Sequence, residues 1–282
     1  EYFKINHPNI YKNIELFNAA IDLKQISPQF DLQFTNGYFD IKSTKTNEFL
    51  YRQNSNEISQ QLTDAINLDA TINSFKAYYE HNYNDFTAKL ALESDILESS
   101  MLGNAPIVHC VNKNLPKPEI LKDVHKFIIF GVLLGLHIPT IHKKLNSKVY
   151  LIVEPNLEFF RLSMFVTNYA NLAKETKLFF SIAQNEFDFK QTFEQFYGEL
   201  FIFNHYLKFI NLSDSCEMYM KVIQNHLVSQ AHFLYSYERT FLSLSRTNSY
   251  ISQDFKILNI KEKKQLTGFE KPILILGAGP SL

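Results

Sequence analysis

The segment KPILILGAGPSL at 271–282 holds the residues whose types and spacing suggest chemistry most directly. A short apolar run, typical of a buried strand, leads into Gly277 and Gly279. Two glycines allow a phosphate to approach the backbone, and Pro280 is favoured at the start of a helix, whose free N–H groups attract an anion. Ser281 adds a hydroxyl beside them. The pattern therefore indicates a turn that binds a phosphate group.

A second glycine turn lies in FIIFGVLLGLH, which is followed by VYLIVEP. Glycines after a first strand, with Glu154 at the end of a second strand about 20 residues later, outline a nucleotide-binding βαβ unit. If Gly131 and Gly135 are the outer glycines of this turn, Leu133 takes the middle place, where a side chain obstructs a ligand. We predict a structural Rossmann-like unit that holds no cofactor. A modified site for a dinucleotide or S-adenosylmethionine stays the alternative.

The histidines do not show the spacing of a metal site. Two imidazoles on one helical face need a separation of four residues, and His125, His137 and His142 do not have it. His226 and His232 do not have it either. We predict structural histidines and no bound metal.

Composition narrows the class of protein. Of the 282 residues, 45% are hydrophobic and 20% charged, which is typical of a globular chain, and the net charge of −1 gives no field for holding nucleic acid. Cys110 and Cys216 match no redox spacing, so we expect two small buried side chains in a reducing cytoplasm. The apolar stretch 127–139 is too short to span a membrane. No signal or lipidation motif is visible, and the missing initiator Met suggests that the protein starts upstream.

The first half of the chain has a mixed pattern. Apolar residues recur at helical spacing over 9–26, and alternation around Asn36-Gly37 predicts a β-hairpin. From 57 to about 100 the pattern is helical, and APIVHCV at 105–111 has the composition of a buried strand.

The second half predicts the sheet. Residues 127–165 suggest strand, turn, helix, strand and helix, followed by a helix at 187–200, a strand at 200–206 and a helical tract at 214–253. Alternation of this kind is typical of a parallel sheet covered by helices. We predict an α/β fold: a Rossmann-like parallel sheet with flanking helices, preceded by a mixed helix and β-hairpin region and followed by a helical connector.

Three of these segments resemble a known family. The terminal KPILILGAGPSL resembles the opening of the central domain of the motility accessory factors, the flagellin glycosyltransferases of flagellated bacteria. FIIFGVLLGLHI and VYLIVEPNLEFFRLSMF resemble the N-terminal domain of the same family, where a strand, a glycine turn and an EPN-x-E-x-F segment follow in that order. The resemblance covers about the second half of the chain, and the first 120 residues are compatible with it.

The resemblance implies that the whole enzyme transfers a nonulosonic acid, pseudaminic or legionaminic acid, from its CMP-activated form to Ser or Thr of flagellin. The central domain is similar to bacterial sialyltransferases, whose equivalent turn receives the CMP part of the donor. Gly277, Gly279, Pro280 and Ser281 would therefore contact the nucleotide. The implied partners are flagellin and the CMP-activated sugar, in the cytoplasm and without a further cofactor. The same central-domain family includes archaeal enzymes that diphosphorylate 6-hydroxymethylpterin, so a pterin substrate stays open.

We predict three parts of the chain. They are a mixed helix and hairpin region at 1–120, a Rossmann-like unit plus helical connector at 121–265, and the first strand and turn of a catalytic domain at 266–282. In this interpretation the chain ends before that domain is complete and is inactive alone. The competing hypothesis is a non-catalytic module that binds flagellin or a flagellar chaperone through an exposed apolar patch, with the aromatic segment 233–244 as its candidate.

Overall fold

A computed structural model of the chain describes residues 1–76, 84–93, 105–114, 120–200, 206–228, 245–246, 248–250 and 252–253. In chain order its helices and strands are α1 (Tyr2–Asn6), α2 (Pro8–Asp22), β1 (Phe30–Thr35), β2 (Tyr38–Ser43), α3 (Ser55–Asp64), β3 (Ser74–Lys76), α4 (Asp85–Glu93), α5 (Ala105–Asn114), β4 (Lys126–Phe130), α6 (His137–Leu145), β5 (Val149–Glu154), α7 (Leu157–Ser163), α8 (Tyr169–Leu172), β6 (Lys177–Ile182), α9 (Glu186–Gly198), β7 (Tyr206–Asn211) and α10 (Glu217–Val228).

The chain forms two compact units. The larger comprises residues 1–81 and 114–233, and the smaller comprises 82–113 and 234–282. Helix α4 and nearly all of α5 belong to the smaller unit. Within it, Nε2 of His109 lies 2.7 Å from Oδ1 of Asp85, which ties these two helices together.

The larger unit is built on a five-stranded sheet in the order β3-β7-β4-β5-β6. Strand β4 is parallel to β5 and to β7, and β5 is parallel to β6. Strand β3 pairs antiparallel with β7 at the edge. Helices lie between the parallel strands along the chain because a parallel pair needs a crossover connection. The structure confirms the predicted α/β fold, and β3 is an edge strand that the sequence did not predict.

The central strands are buried on both faces. Every residue of β4 and β5 is buried, as expected of parallel strands covered by helices. Phe127 and Ile129 pack with side chains of α6, α7 and α8, whereas Ile128 and Phe130 pack with those of α9 and α10. Burial of a side chain such as Phe193 on α9, which is fully buried, stabilises the folded state by about 1.5–3 kcal/mol relative to leaving it exposed.

The predicted hairpin is confirmed as β1 and β2. Asn36 and Gly37 form its turn with left-handed φ values of +53° and +86°, which both residue types tolerate. Ile41 of β2 is fully buried and packs in one cluster with Leu134 and Leu162. The hairpin is thus fixed to the segment that follows β4.

Two lysine ammonium groups, one on the buried Lys126 and one on the exposed Lys144, bind helix ends. Nζ of Lys126 donates to three carbonyls at the end of α9, with distances between 2.6 and 3.1 Å. Nζ of Lys144 donates to three carbonyls at the end of α3, with distances between 2.8 and 3.2 Å. The last carbonyls of a helix have no partner within the helix and carry its negative dipole end, so a lysine stabilises them.

The strand predicted at 105–111 is wrong, because this segment is the helix α5. A short apolar run fits a strand or a buried helix equally, and Pro106 is well tolerated in a first helical turn. Of the strand predicted at 200–206, Leu200 lies in a turn, Tyr206 begins β7, and 201–205 lie outside the described residues. The helical tract predicted from 214 is confirmed as far as Val228. Within the described ranges, no helix combines the length and the apolar character needed to cross a membrane.

Candidate functional site

The four residues expected to contact a nucleotide, Gly277, Gly279, Pro280 and Ser281, lie outside the described residues. The aromatic segment 233–244 lies outside them as well. Both assignments stay predictions. The other candidate, the glycine turn between β4 and α6, is described in full.

The backbone of this turn is left-handed at three positions. The φ angles are +88° at Gly131, +49° at Leu133 and +70° at Gly135. A residue with a Cβ atom pays about 1–2 kcal/mol for this conformation, so Leu133 is strained. Its half-buried side chain packs against the cluster that contains Ile41 and Leu162. The middle position therefore serves the packing of the hairpin.

Both glycines are explained by contacts with other parts of the protein. A Cβ atom on Gly131 would lie 3.1 Å from Cβ of Leu212. A Cβ atom on Gly135 would lie 2.7 Å from the hydroxyl of Tyr169 and 3.0 Å from Oγ1 of Thr167. The lack of a side chain at these two positions allows Leu212, Tyr169 and Thr167 to pack directly against the turn.

The carboxylate of Glu154 occupies the centre of the turn. Its side chain is 2% exposed, Oε2 accepts from the Val132 N–H at 2.6 Å, and Oε1 accepts from the Asn156 N–H at 2.9 Å. Burial raises the pKa of Glu154, and hydrogen bonds from the backbone of Val132, Asn156 and Leu133 oppose this rise. The turn thus binds an anionic group that the protein itself supplies.

The remaining N–H groups of the turn also have acceptors within the protein. Gly131 donates to the Val153 carbonyl at 2.8 Å, and Gly135 donates to the Val132 carbonyl at 2.7 Å. Leu134 donates to the hydroxyl of Tyr51 at 3.2 Å. A phosphate-binding turn needs N–H groups that are free to point at the ligand. In this turn, they are used internally.

The loop after β7 closes the sheet at the same end. Strand β4 lies between β5 and β7. The chain continues from β4 to β5 on one side and later returns to β7 on the other side. Open α/β sheets bind their ligands at such a point, where the strand order reverses. Leu212 N–H donates to the Phe130 carbonyl at 2.8 Å, and Leu212 and Ser213 pack against Gly131. This crevice is therefore filled next to the turn.

The EPN-x-E-x-F segment after β5 has structural roles at each polar position. Oδ1 of Asn156 accepts from the Glu158 N–H at 2.9 Å and caps α7. Glu158 is 5% exposed, and its carboxylate accepts from the backbone N–H groups of Gln29 and Phe30 at 3.1 and 3.0 Å. Phe160 is fully buried in the core. Sequence spacing could not reveal the role of Glu158, because its partners are more than a hundred residues away.

Two histidines near the sheet, His137 and His142, are buried. His142 lies between the Tyr150 hydroxyl and the Glu175 carboxylate, each at 3.2 Å. His137 is 1% exposed, its Nε2 has no hydrogen-bond partner, and burial lowers its pKa to about 4. Among the described residues no three His, Cys, Asp or Glu side chains converge.

One of the two cysteine predictions is wrong. Cys216 is buried as expected, whereas Cys110 is exposed on α5. The prediction for Cys110 fails because it depends on a buried strand at 105–111, whereas this segment is a helix on which Cys110 is exposed.

A cleft of about 430 Å³ lies between α1 and residues 164–170. Tyr2, Phe3 and Phe165 contribute aromatic walls. The nearby Tyr169 hydroxyl already bonds to Oγ of Ser163 at 2.8 Å. Its polar lining includes Glu1 and Thr167.

Comparison with known proteins places the chain in a family. The family described as the glycosyltransferase Maf N-terminal domain matches residues 3–208. The chain is similar to the structure of the Maf glycosyltransferase from Magnetospirillum magneticum AMB-1, with 16% identity and a TM-score of 0.48. That match covers 79% of this chain and 35% of the other, so the chain spans about a third of that protein's length. The search of curated proteins gave no match. The match over residues 3–208 shows that the chain belongs to the family of the glycosyltransferase Maf N-terminal domain.

Proposed function

We propose that this chain is the N-terminal, non-catalytic part of a glycosyltransferase. The complete enzyme transfers pseudaminic or legionaminic acid from its CMP-activated form to Ser or Thr of flagellin, in the cytoplasm, and this transfer serves flagellar assembly and motility. Residues 266–282 begin its catalytic domain. Gly277, Gly279, Pro280 and Ser281 contact the CMP group of the donor.

The observation that carries this proposal is the internally occupied turn at 131–135. The described Rossmann-like unit belongs to a glycosyltransferase family, yet the N–H groups of its turn bind Glu154 and other atoms of the protein. Donor binding therefore belongs to a different turn, and the terminal glycine motif has the required pattern.

The N-terminal part then has a positioning role. We assign the region 1–120 and the unit with its connector at 121–265 to holding flagellin or the catalytic domain in place. Correct placement of an acceptor hydroxyl next to an activated donor supplies a large part of the rate in group transfer. The general base that activates this hydroxyl belongs to the catalytic domain.

Calorimetric titration of CMP tests the proposal. The titration compares this chain with a form extended by about 200 residues, the size of one further domain. We expect binding only by the longer form, and loss of binding when Gly279→Leu fills the turn with a side chain. Gly198→Leu in the longer form is the matched control and leaves CMP binding intact, because a Cβ atom on Gly198 meets no other atom within 4 Å.

Two results would contradict the proposal. Binding of CMP by the present chain would show that the complete catalytic domain is not needed, and binding that survives Gly279→Leu would place the donor site in the Rossmann-like unit. Failure of the longer form to bind CMP would remove the nucleotide assignment, and 6-hydroxymethylpterin and flagellin would then be tested as ligands in the same titration.

A further inference from the structure

The turn at 131–135 has the form of an anion site, and the anion in it is part of the chain. Two carboxylate oxygens of Glu154 accept from two backbone N–H groups at 2.6 and 2.9 Å. These N–H groups come from separate segments, Val132 after β4 and Asn156 after β5. A carboxylate is thus held by convergent backbone donors in a setting that excludes water.

Glu154 occupies the position of the acidic residue in a dinucleotide-binding unit, at the end of the second strand. In dinucleotide-binding Rossmann units the acidic residue at the end of the second strand binds a ribose, and the phosphates bind the glycine turn. Here the acidic residue ends β5 in the same way, but its carboxylate turns back onto the glycine turn. One group of the protein stands where a phosphate would be bound.

We propose that the turn at 131–135 is a self-occupied oxyanion site, in which the Glu154 carboxylate takes the place of a ligand phosphate. Removal of this carboxylate opens a site for one phosphate-sized oxyanion. A dinucleotide does not fit, because Leu212 packs against Gly131 and Leu133 fills the middle of the turn.

The test is the thermal unfolding midpoint of Glu154→Ala as inorganic phosphate is added, with sodium chloride at matched ionic strength as the reference. Phosphate that binds only the folded state raises this midpoint with a saturating dependence on concentration. We expect a rise of about 3 °C for Glu154→Ala at ten times the dissociation constant, and no rise beyond the chloride reference for the wild type. Glu154→Gln also shows no rise, because its amide still fills the site.

Glu158→Ala is the matched control variant. It also removes a buried carboxylate that accepts from two backbone N–H groups, those of Gln29 and Phe30, but these N–H groups open a strand and do not belong to a glycine turn. An equal effect of phosphate on Glu158→Ala and Glu154→Ala would overturn the proposal. Absence of any specific effect on Glu154→Ala would overturn it too.

A measurement on the wild type covers the case in which Glu154→Ala does not fold. The amide proton shifts of Val132 and Asn156 are followed by NMR as the pH is lowered. Both should change together with a single midpoint as the carboxylate that they contact gains a proton. Shifts of these two amides that stay constant until global unfolding would contradict the role assigned to Glu154.

Discussion

Replacement of Glu154 by glutamine tests the central claim about the turn with a change of one atom type. Both oxygens of Glu154 accept from backbone N–H groups, those of Val132 and Asn156. A glutamine offers one oxygen and one NH2 group, so either orientation places a donor against a donor. A buried N–H then loses its partner at a cost of about 1–3 kcal/mol, and the surviving bond loses its charge assistance.

One opposing effect reduces this loss. Burial of the charged carboxylate is unfavourable, as its raised pKa indicates, and the neutral amide avoids that penalty. We expect the lost charge assistance and the relieved burial to offset each other approximately, so that Glu154→Gln lowers the free energy of unfolding by about 1–3 kcal/mol in total.

Urea unfolding at pH 7, followed by far-ultraviolet circular dichroism, measures this change. The control is Glu175→Gln, whose carboxylate contacts His142 but is 69% exposed, and which should cost less than about 1 kcal/mol. A Glu154→Gln variant as stable as Glu175→Gln would refute the reasoning, because the two N–H bonds would then contribute nothing that an amide cannot supply.

Three further changes test other parts of the larger unit. Burial lowers the pKa of Lys126 to about 7 from its ordinary 10.5, so the folded chain releases this proton first as the pH rises. Between pH 7 and 9, the free energy of unfolding of the wild type should rise by about 2 kcal/mol relative to that of Lys126→Met. An equal change of the two proteins with pH, measured by urea unfolding, would contradict the lowered pKa. The low pKa of His137 means that the unfolded chain is protonated first as the pH falls below 6.5, so the wild type should lose about 2 kcal/mol more than His137→Leu between pH 7 and 5. Gly135→Ala places a methyl group 2.7 Å from the Tyr169 hydroxyl and should cost about 1–3 kcal/mol more than Gly37→Ala, which shares the left-handed backbone but meets no atom within 4 Å. Combination with Tyr169→Phe should recover part of that loss in thermal unfolding, and no recovery would show that the hydroxyl is not the obstacle.

The elements predicted correctly are those whose signal is local. Helix α2 follows from the spacing of its apolar residues, and the hairpin follows from Asn36-Gly37 between alternating strands. The order of β4, α6, β5 and α7 follows from apolar runs interrupted by glycine and by the Asn156 cap. Each of these elements is formed by fewer than 20 consecutive residues.

The elements that were missed depend on distant partners. Strand β3 has three residues and exists by pairing with β7, more than a hundred residues later. Strand β7 carries a lysine at its third position, and Lys208 is buried because its ammonium reaches the carbonyls of Asp69 and Ile72. A lysine in the middle of a strand interrupts the apolar run by which a buried strand is predicted from sequence.

The candidate turn was predicted in outline only. The sequence predicts that the Leu133 side chain obstructs the middle of the turn, and in the structure this side chain packs against the cluster that contains Ile41. The direction of the Glu154 side chain could not be predicted, since an acidic residue at the end of a strand is compatible with binding a ribose or with binding the turn. The contacts of Leu212 with Gly131 depend on the position of β7, and the strand predicted at 200–206 includes only its first residue, Tyr206.

The bond between the hairpin and Glu158 has a consequence during protein synthesis. Gln29 N–H and the Glu158 carboxylate are 129 residues apart. At about 5–20 residues per second, a ribosome needs roughly 6–26 s to pass from Gln29 to Glu158. A two-stranded hairpin is only marginally stable alone. During this interval the N–H groups at the start of β1 lack their Glu158 partner, and the strand is open to pairing with other chains. Faster translation of the intervening residues shortens this interval.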